Sequence, residues 1–370
     1  MNNATVTSTI TVFVITLCTM VILTFHSAAQ SNTDRELTTH IEQSIAAGNY
    51  NSMIIAFIND NKITTKSFGE ITVGSGIKPD KNTLFEMSSI SKTFLGSLVG
   101  ILAERGEIKL DDPINNYLPP GVKLASMNGK EITILNLSTH FSGVPNLPTD
   151  YPIDKESNAP YTNYSIDDLW NSVNAFRPDR AAGDKWEYSA FGFGILSQAL
   201  AYHFGRDYFE MVQEEILAPL GMSDTFLHLP QSEKHRFAQG HLPDGTKTNQ
   251  MINNGAMLAS GSMLTSTADM IKYMKAHMGL LKTPIYKGLL VSHPLYTTNN
   301  NMGLGWEIKP DSTSRNNYGT GGGHRAYVGF NKEKTGKSKI GVIVFTNTKF
   351  GAVDIGHRAL NLDHPLPAIK

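Results

Sequence analysis

Phe85-Glu86-Met87-Ser88-Ser89-Ile90-Ser91-Lys92-Thr93-Phe94 is the stretch on which the reading of this chain turns. Ser89 precedes Lys92 by three residues, and on a helix that spacing puts a hydroxyl and an amine on one face. The spacing alone is cheap, since a chain of this size supplies about one or two Ser-x-x-Lys matches by accident. Ser75-Gly76-Ile77-Lys78 is one, set among glycines and before Pro79, where no helix is started. Context separates the two. After Ser89, the residues Ile90, Phe94, Leu95, Leu98, Val99, Ile101 and Leu102 form an apolar surface wider than an amphipathic stripe, which predicts a helix buried nearly all round. Gly106 supplies its stop. A lysine at the start of such a helix costs on the order of several kcal/mol unless it is paired or neutral. Ser89 and Lys92 are thus a candidate nucleophile and base, with a surface pair at a helix start as the plain alternative.

At 370 residues the chain is long enough for one large or two intimate domains with a substantial core. Its hydrophobic fraction of 40% and charged fraction of 18% exclude wholesale disorder. Net charge is -1, with no run of Lys or Arg, which argues against a nucleic-acid partner. The start reads as an export segment over residues 1–29: an apolar run from Ile10 to Phe25, then Ser27-Ala28-Ala29 before Gln30. Residues 1–25 carry no Lys or Arg, so an uncleaved membrane anchor is the alternative, and the only membrane contact expected. Cys18, the single cysteine, lies in this run, so cleavage after Ala29 leaves neither a disulfide nor a thiol nucleophile. The twelve histidines are scattered without metal-ligand spacing, and we expect neither a metal nor a cofactor.

Strand character concentrates at the two ends. Met53–Ile58 and Ile63–Phe68 flank the turn Asn59-Asp60-Asn61, and Gly303–Lys309, His324–Phe330 and Lys339–Asn347 follow late. Helices are predicted over Arg35–Ala47, over Thr133–His140, Ser165–Asn174, Phe191–His203, Tyr208–Leu217 and Thr267–His277, and over Gly351–Leu362. The pattern predicts an α+β fold with one antiparallel sheet formed from both chain ends and flanked by helices. Residues 30–87 with 285–370 form the α/β part, residues 88–284 an inserted, mainly helical subdomain, and the cleft between them is the expected active site.

Further segments accompany the Ser89 stretch: Leu110-Asp111-Asp112-Pro113, Thr139-His140-Phe141-Ser142-Gly143-Val144-Pro145, Pro219-Leu220-Gly221-Met222 and Gly303-Leu304-Gly305-Trp306. Together they resemble the serine β-lactamase and penicillin-binding-protein superfamily, in the branch of class C β-lactamases, DD-peptidases and β-lactamase-like esterases. The resemblance runs over residues 50–347 and implies a β-lactamase/transpeptidase-like fold. It also implies that Tyr188, in Trp186-Glu187-Tyr188-Ser189-Ala190, shares proton transfer with Lys92. Ala190 departs from the family pattern, which has asparagine there. The family's third element is a Lys-Thr-Gly strand. Anchored on Gly323-His324-Arg325-Ala326-Tyr327-Val328-Gly329-Phe330, an ungapped comparison puts Asn317-Tyr318-Gly319 in its place, without the cation or the hydroxyl at those positions. Asn317, Tyr318, Gly319 and His324 are the expected substrate contacts. Only one of His324 and Arg325 can face a cleft from an alternating strand, and either is a candidate replacement for the lost charge. By resemblance, the backbone N–H groups of Ser89 and Thr320 form the oxyanion hole, and His140 supports the fold.

These residues imply a serine hydrolase acting through an acyl-serine intermediate on a small-molecule or peptide substrate. The losses at positions 190 and 317 favour esters or D-amino-acid amides over efficient β-lactam hydrolysis. A true β-lactamase or DD-carboxypeptidase is the alternative. A non-catalytic relative that binds cell-wall fragments or a partner is the rival of another class.

Overall fold

The computed structural model describes residues 34–152, 164–242, 244–248, 255–297, 300–309, 314–331, 338–348, 350–360 and 364–369. The predicted export segment, residues 1–29, lies outside the described residues. A helix over 34–46 (α1) leads into β1 (Ser52–Asn59) and β2 (Lys62–Gly69), an antiparallel hairpin turned through Asp60 at φ 51°. Strands β3 (Leu84–Glu86), β4 (Thr225–Phe226) and β5 (Leu264–Ser266) form a small sheet in the order β3-β5-β4. Late in the chain come β6 (Glu307–Ile308), β7 (Ser314–Gly321), β8 (His324–Asn331) and β9 (Ile340–Thr346). With the first hairpin they build a sheet in the order β2-β1-β9-β8-β7-β6, antiparallel at every pairing. This is the α+β architecture predicted from the pattern, with the chain ends joined where Met53 on β1 meets Thr346 on β9.

Both faces of that sheet are covered. Ile54, Ala56, Val328, Ile343 and Phe345 face a large apolar core that continues through the helices, while Met53, Ile55, Tyr327, Val342 and Val344 face a smaller core with Leu37 and Ile41 of α1. A strand buried on both sides reads as a continuous apolar run rather than an alternating one, as Met53–Ile58 does.

The remaining helices are α2 (Ser91–Glu104), α3 (Ile134–Ser138), α4 (Ile166–Ala175), α5 (Ala190–Phe204), α6 (Tyr208–Val212), α7 (Ala218–Leu220), α8 (Thr267–His277), α9 (Tyr286–Val291) and α10 (Ala352–Leu360). As predicted, α2 is buried along nearly its whole length, from Ser91 to Leu102. Gly96 lets the backbone of Leu304 pack directly on it, a place where any Cβ would collide. The predicted helix Tyr208–Leu217 is α only to Val212 and π-helical over Gln213–Leu217. The predicted strand Gly303–Lys309 shortens to β6, because Gly303 and Gly305 press their backbones on Ser292 and on Lys92 instead of pairing in the sheet. No helix among the described residues is long and apolar enough to cross a membrane.

Candidate active site

β3 delivers the chain into a short 3-10 turn, Ser88–Ile90, that runs straight into α2. Ser88 makes the bend with φ +46°, a left-handed value uncommon for a residue with a side chain. The bend turns Ser89 out to the head of the helix. One turn on, Lys92 points back to it: Nζ lies 3.3 Å from Ser89 Oγ and donates at 2.5 Å to the Ser260 carbonyl. Lys92 is 1% exposed, so these contacts, with the faces of Tyr188 at 4.7 Å and Phe193 at 5.6 Å, stand in for water around its nitrogen.

Tyr188 arrives from the other side. Its Oη is 2.6 Å from Ser89 Oγ. Ser189, immediately after it, caps α5 by accepting from the Gly192 N–H at 2.7 Å and donates its own hydroxyl to the Pro145 carbonyl at 2.7 Å. His140 fixes the same corner: its Nδ1 accepts the Ser189 N–H at 3.0 Å, and its ring packs on Tyr188 with centroids 4.7 Å apart. Burial, and then the charge of Lys92, push the His140 pKa down to about 3, so the ring stays neutral and free to accept that bond. It supports the corner from behind, the role the sequence suggested.

The third wall is β7. Gly319 rests on the turn that carries Ser89, where an added Cβ would clash with the Met87 carbonyl and come within 2.7 Å of the Ser89 nitrogen. Thr320 follows and lines the cleft together with Ser89. Asn317 donates its amide at 2.7 Å to the Gly305 carbonyl and is 9% exposed, so it braces β7 against the segment lying on α2. Tyr318 is outward and 39% exposed. The charge of Glu307, and then burial, raise the Tyr318 pKa and keep the phenol neutral.

Three sequence expectations land elsewhere, and Asn317, expected against substrate but turned to Gly305, is the first. His324, expected against substrate, is 1% exposed and sits in the interior, with its ring nitrogens turned to Glu86 and to the Ala238 carbonyl. Arg325 points the opposite way, into a separate hollow with Tyr50 and Phe350. The alternation of β8 does separate the pair, but it sends neither side chain to the cleft.

The cleft itself is about 190 Å³, lined by Ser88, Ser89, Lys92, Asn146, Leu147, Tyr151, Tyr188, Ala190, Met257, Ser260, Gly261 and Thr320. Lys92 is the one cation among these lining residues. Two contributors were not found by sequence reasoning. Ser260 holds Lys92 through a main-chain oxygen, which no side-chain pattern reveals. Asn146 follows the Ser142-Gly143-Val144-Pro145 segment, and its Oδ1 accepts the Ala190 N–H at 3.2 Å. A backbone N–H requires an oxygen opposite it, so the Asn146 NH2 is the end left to face away from Ala190.

A buried lysine, a phenol and a hydroxyl meeting at the mouth of a cleft, on an antiparallel sheet backed by helices, define a serine hydrolase of the acyl-transfer kind. The Beta-lactamase family model matches residues 37–364, and the chain belongs to that family. A β-lactamase of Pseudomonas fluorescens is 29% identical over 261 residues, 69% of this chain and 69% of that protein. The D-alanyl-D-alanine-carboxypeptidase/endopeptidase AmpH of Escherichia coli (strain K12) is 27% identical over 267 residues, 71% of this chain and 67% of its own. Among solved structures, the octameric penicillin-binding protein homologue from Pyrococcus abyssi superposes with a TM-score of 0.78 at 23% identity, covering 90% of this chain and 79% of that one. A class C β-lactamase gives 0.74 at 22% identity, covering 89% and 95%.

Proposed function

We propose that this chain hydrolyses small esters or D-amino-acid amides through an acyl ester on Ser89. The observation that carries the reading is Ser89 Oγ held 2.6 Å from Tyr188 Oη and 3.3 Å from Lys92 Nζ, in a cleft where Lys92 is the one Lys or Arg among the described residues that line it. Lys92 and Tyr188 take the proton from Oγ as it bonds to the substrate carbonyl carbon, and pass it to the departing alcohol or amine. The N–H groups of Ser89 and Thr320 hold the oxyanion. Water then bonds to the same carbon, the Oγ–acyl bond breaks, and Oγ regains its proton. A substrate led by a free carboxylate needs a cation beyond the base to receive it, and Asn317, turned to Gly305, offers none.

The second reading is amide hydrolysis of the β-lactam or DD-peptide type, supported by the activities for which the Pseudomonas fluorescens and Escherichia coli relatives are named. In either case the partner is a small-molecule or peptide substrate. We read residues 1–29 as the segment that exports or anchors the enzyme, residues 30–87 with 285–370 as its sheet-bearing part and 88–284 as its helical part. A panel of short-chain p-nitrophenyl esters and a chromogenic cephalosporin, on wild type and Ser89→Ala, tests this. We expect ester turnover, with an acyl mass on Ser89 that the variant lacks. A cephalosporin preference by orders of magnitude reverses the order of the two readings, and labelling at another residue ends both.

A further inference from the structure

His324 opens β8 immediately after the tight turn Gly322-Gly323, whose φ values of +54° and +79° are those of a type I′ hairpin. Thr320, the proposed oxyanion donor, is the last residue but one of the other arm of that hairpin, paired with Arg325. Gly321, Gly322 and Gly323 follow one another, and such a run has little stiffness of its own. Its position must be imposed by what it touches. Thr248 Oγ1 donates to the Gly322 carbonyl at 2.6 Å, and a side chain at Gly322 would collide with the Glu86 carboxylate.

Glu86 ends β3, just before the turn that carries Ser89. It is 3% exposed and its Oε2 lies 3.3 Å from His324 Nδ1. The other ring nitrogen, Nε2, lies 2.9 Å from the Ala238 carbonyl oxygen. A carbonyl oxygen only accepts, so Nε2 carries a hydrogen. Nδ1 then faces a carboxyl oxygen in the interior. Two lone pairs opposed at that contact would repel each other and make no bond between them. One proton therefore lies between Nδ1 and Oε2, whether as imidazolium against carboxylate or as carboxylic acid against neutral imidazole. Around the pair stand the rings of Phe85 and Phe237, at 6.0 and 5.4 Å from the His324 ring, and from the segment carrying Gly240 and Thr248 comes His241, with Lys247 near it in turn. Burial holds His241 neutral, with His324 and Lys247 adding to that effect.

We infer that Glu86 and His324, sharing one buried proton, are positioning residues that lock the β7–β8 hairpin, and with it the Thr320 N–H, onto the turn bearing Ser89. The inference rests on the acyl-serine reading for its kinetic consequence, though the proton itself follows from geometry alone. Without that proton two lone pairs oppose each other at Nδ1 and Oε2 and the hairpin loosens.

Two variants separate the roles. Glu86→Ala removes the partner. Glu86→Gln sets an amide N–H opposite Nδ1 and makes the shared proton unnecessary. With p-nitrophenyl acetate we expect Ser89 acylation to slow on the order of tenfold in Glu86→Ala at little change in KM, as a displaced donor does. Glu86→Gln recovers most of that rate. Nitrogen NMR of the His324 ring in the folded, full-length protein is the readout independent of turnover. It is expected to show a proton shared at Nδ1 in wild type and an unprotonated Nδ1 in Glu86→Gln. Superimposable rates in all three proteins overturn the inference, as does a wild-type ring with Nδ1 unprotonated beside an ionised Glu86. Absence of Ser89 acylation in wild type defeats the proposed function instead, and the NMR result still decides the pair.

Discussion

Two clusters of similar make-up lie along helix α2, one at its head and one two turns on. At its head, Ser89 Oγ meets a phenol at 2.6 Å and a nitrogen at 3.3 Å, from Tyr188 and Lys92. Farther along, Ser97 Oγ meets the Tyr273 phenol at 2.9 Å and the His277 Nε2 at 3.2 Å. The second cluster continues to His293, 2.7 Å from His277, and to Thr93. Ser97 and Tyr273 are wholly buried, His277 nearly so, whereas Ser89 and Tyr188 are half-buried and line the cleft. A hydroxyl between a phenol and a nitrogen is therefore not by itself a reactive group. Room for a substrate, a cation beside the hydroxyl and backbone donors across from it distinguish the front cluster from the back one.

The strongest way to break that comparison is to delete each serine. Ser89→Ala is expected to lower ester turnover at least roughly ten-thousandfold, measured by stopped-flow hydrolysis, while retaining the fold by circular dichroism; residual turnover near the wild-type rate would place the nucleophile elsewhere. Next comes the cation. Lys92→Met keeps the length of the side chain and removes the charge, and is expected to cost roughly a thousandfold in acylation rate, with an equal loss across esters because the base serves all of them.

The back cluster answers to acid. Burial pushes the His277 pKa far down, and burial with the charge of Arg315 takes His293 down to about 3. Their folded pKa values lie below the unfolded value of 6.5, so the unfolded chain binds protons the folded one refuses. Stability is then complete above about pH 6.5 and falls as pH drops toward 3, by roughly 1 kcal/mol per pH unit for each histidine. His140, also down to about 3, adds to the slope. Thermal melts from pH 8 to pH 4 check it, and His293→Gln should flatten the curve. Ser97→Ala is expected to lower stability by about 1 to 2 kcal/mol in urea titrations and to leave the acylation rate where it was, the mirror image of Ser89→Ala. The smallest effect is expected at the wall: Ala190→Asn should raise kcat/KM by roughly three- to tenfold for substrates with an amide beside the scissile carbonyl, and leave plain acetate esters unchanged. Equal gains on both would mean that position 190 does not select substrates.

Much of this was legible in the chain itself. The apolar width after Ser89 announced a buried α2, the double-sided runs announced β1 and β9, and the family-like segments led to Tyr188, which the structure brings beside Ser89 and Lys92. β7 was not legible from propensity. Ser-Arg-Asn-Asn-Tyr-Gly-Thr-Gly contains little that favours a strand, and only comparison with the family placed part of it at the cleft. It is held by full-length pairing with β8 and by Gly319 seated on the Ser89 turn, both long-range effects. The same limit hid Ser260 and Asn146, which act through a main-chain oxygen and a bond across a loop. His324 shows a subtler limit: period-two alternation separates it from Arg325, but whether either face meets a cleft depends on what packs there.

The order of strands in the main sheet bears on when such an enzyme can first exist. β9 lies between β1 and β8, so the N-terminal hairpin is not joined to the β7–β8 arm until residues 340–346 are in place. A chain growing from the ribosome holds Ser89 and Lys92 long before it holds that strand. Contacts of such sequence separation form late and slowly, which leaves the cleft unassembled during synthesis and gives the last tenth of the polypeptide a veto over its chemistry.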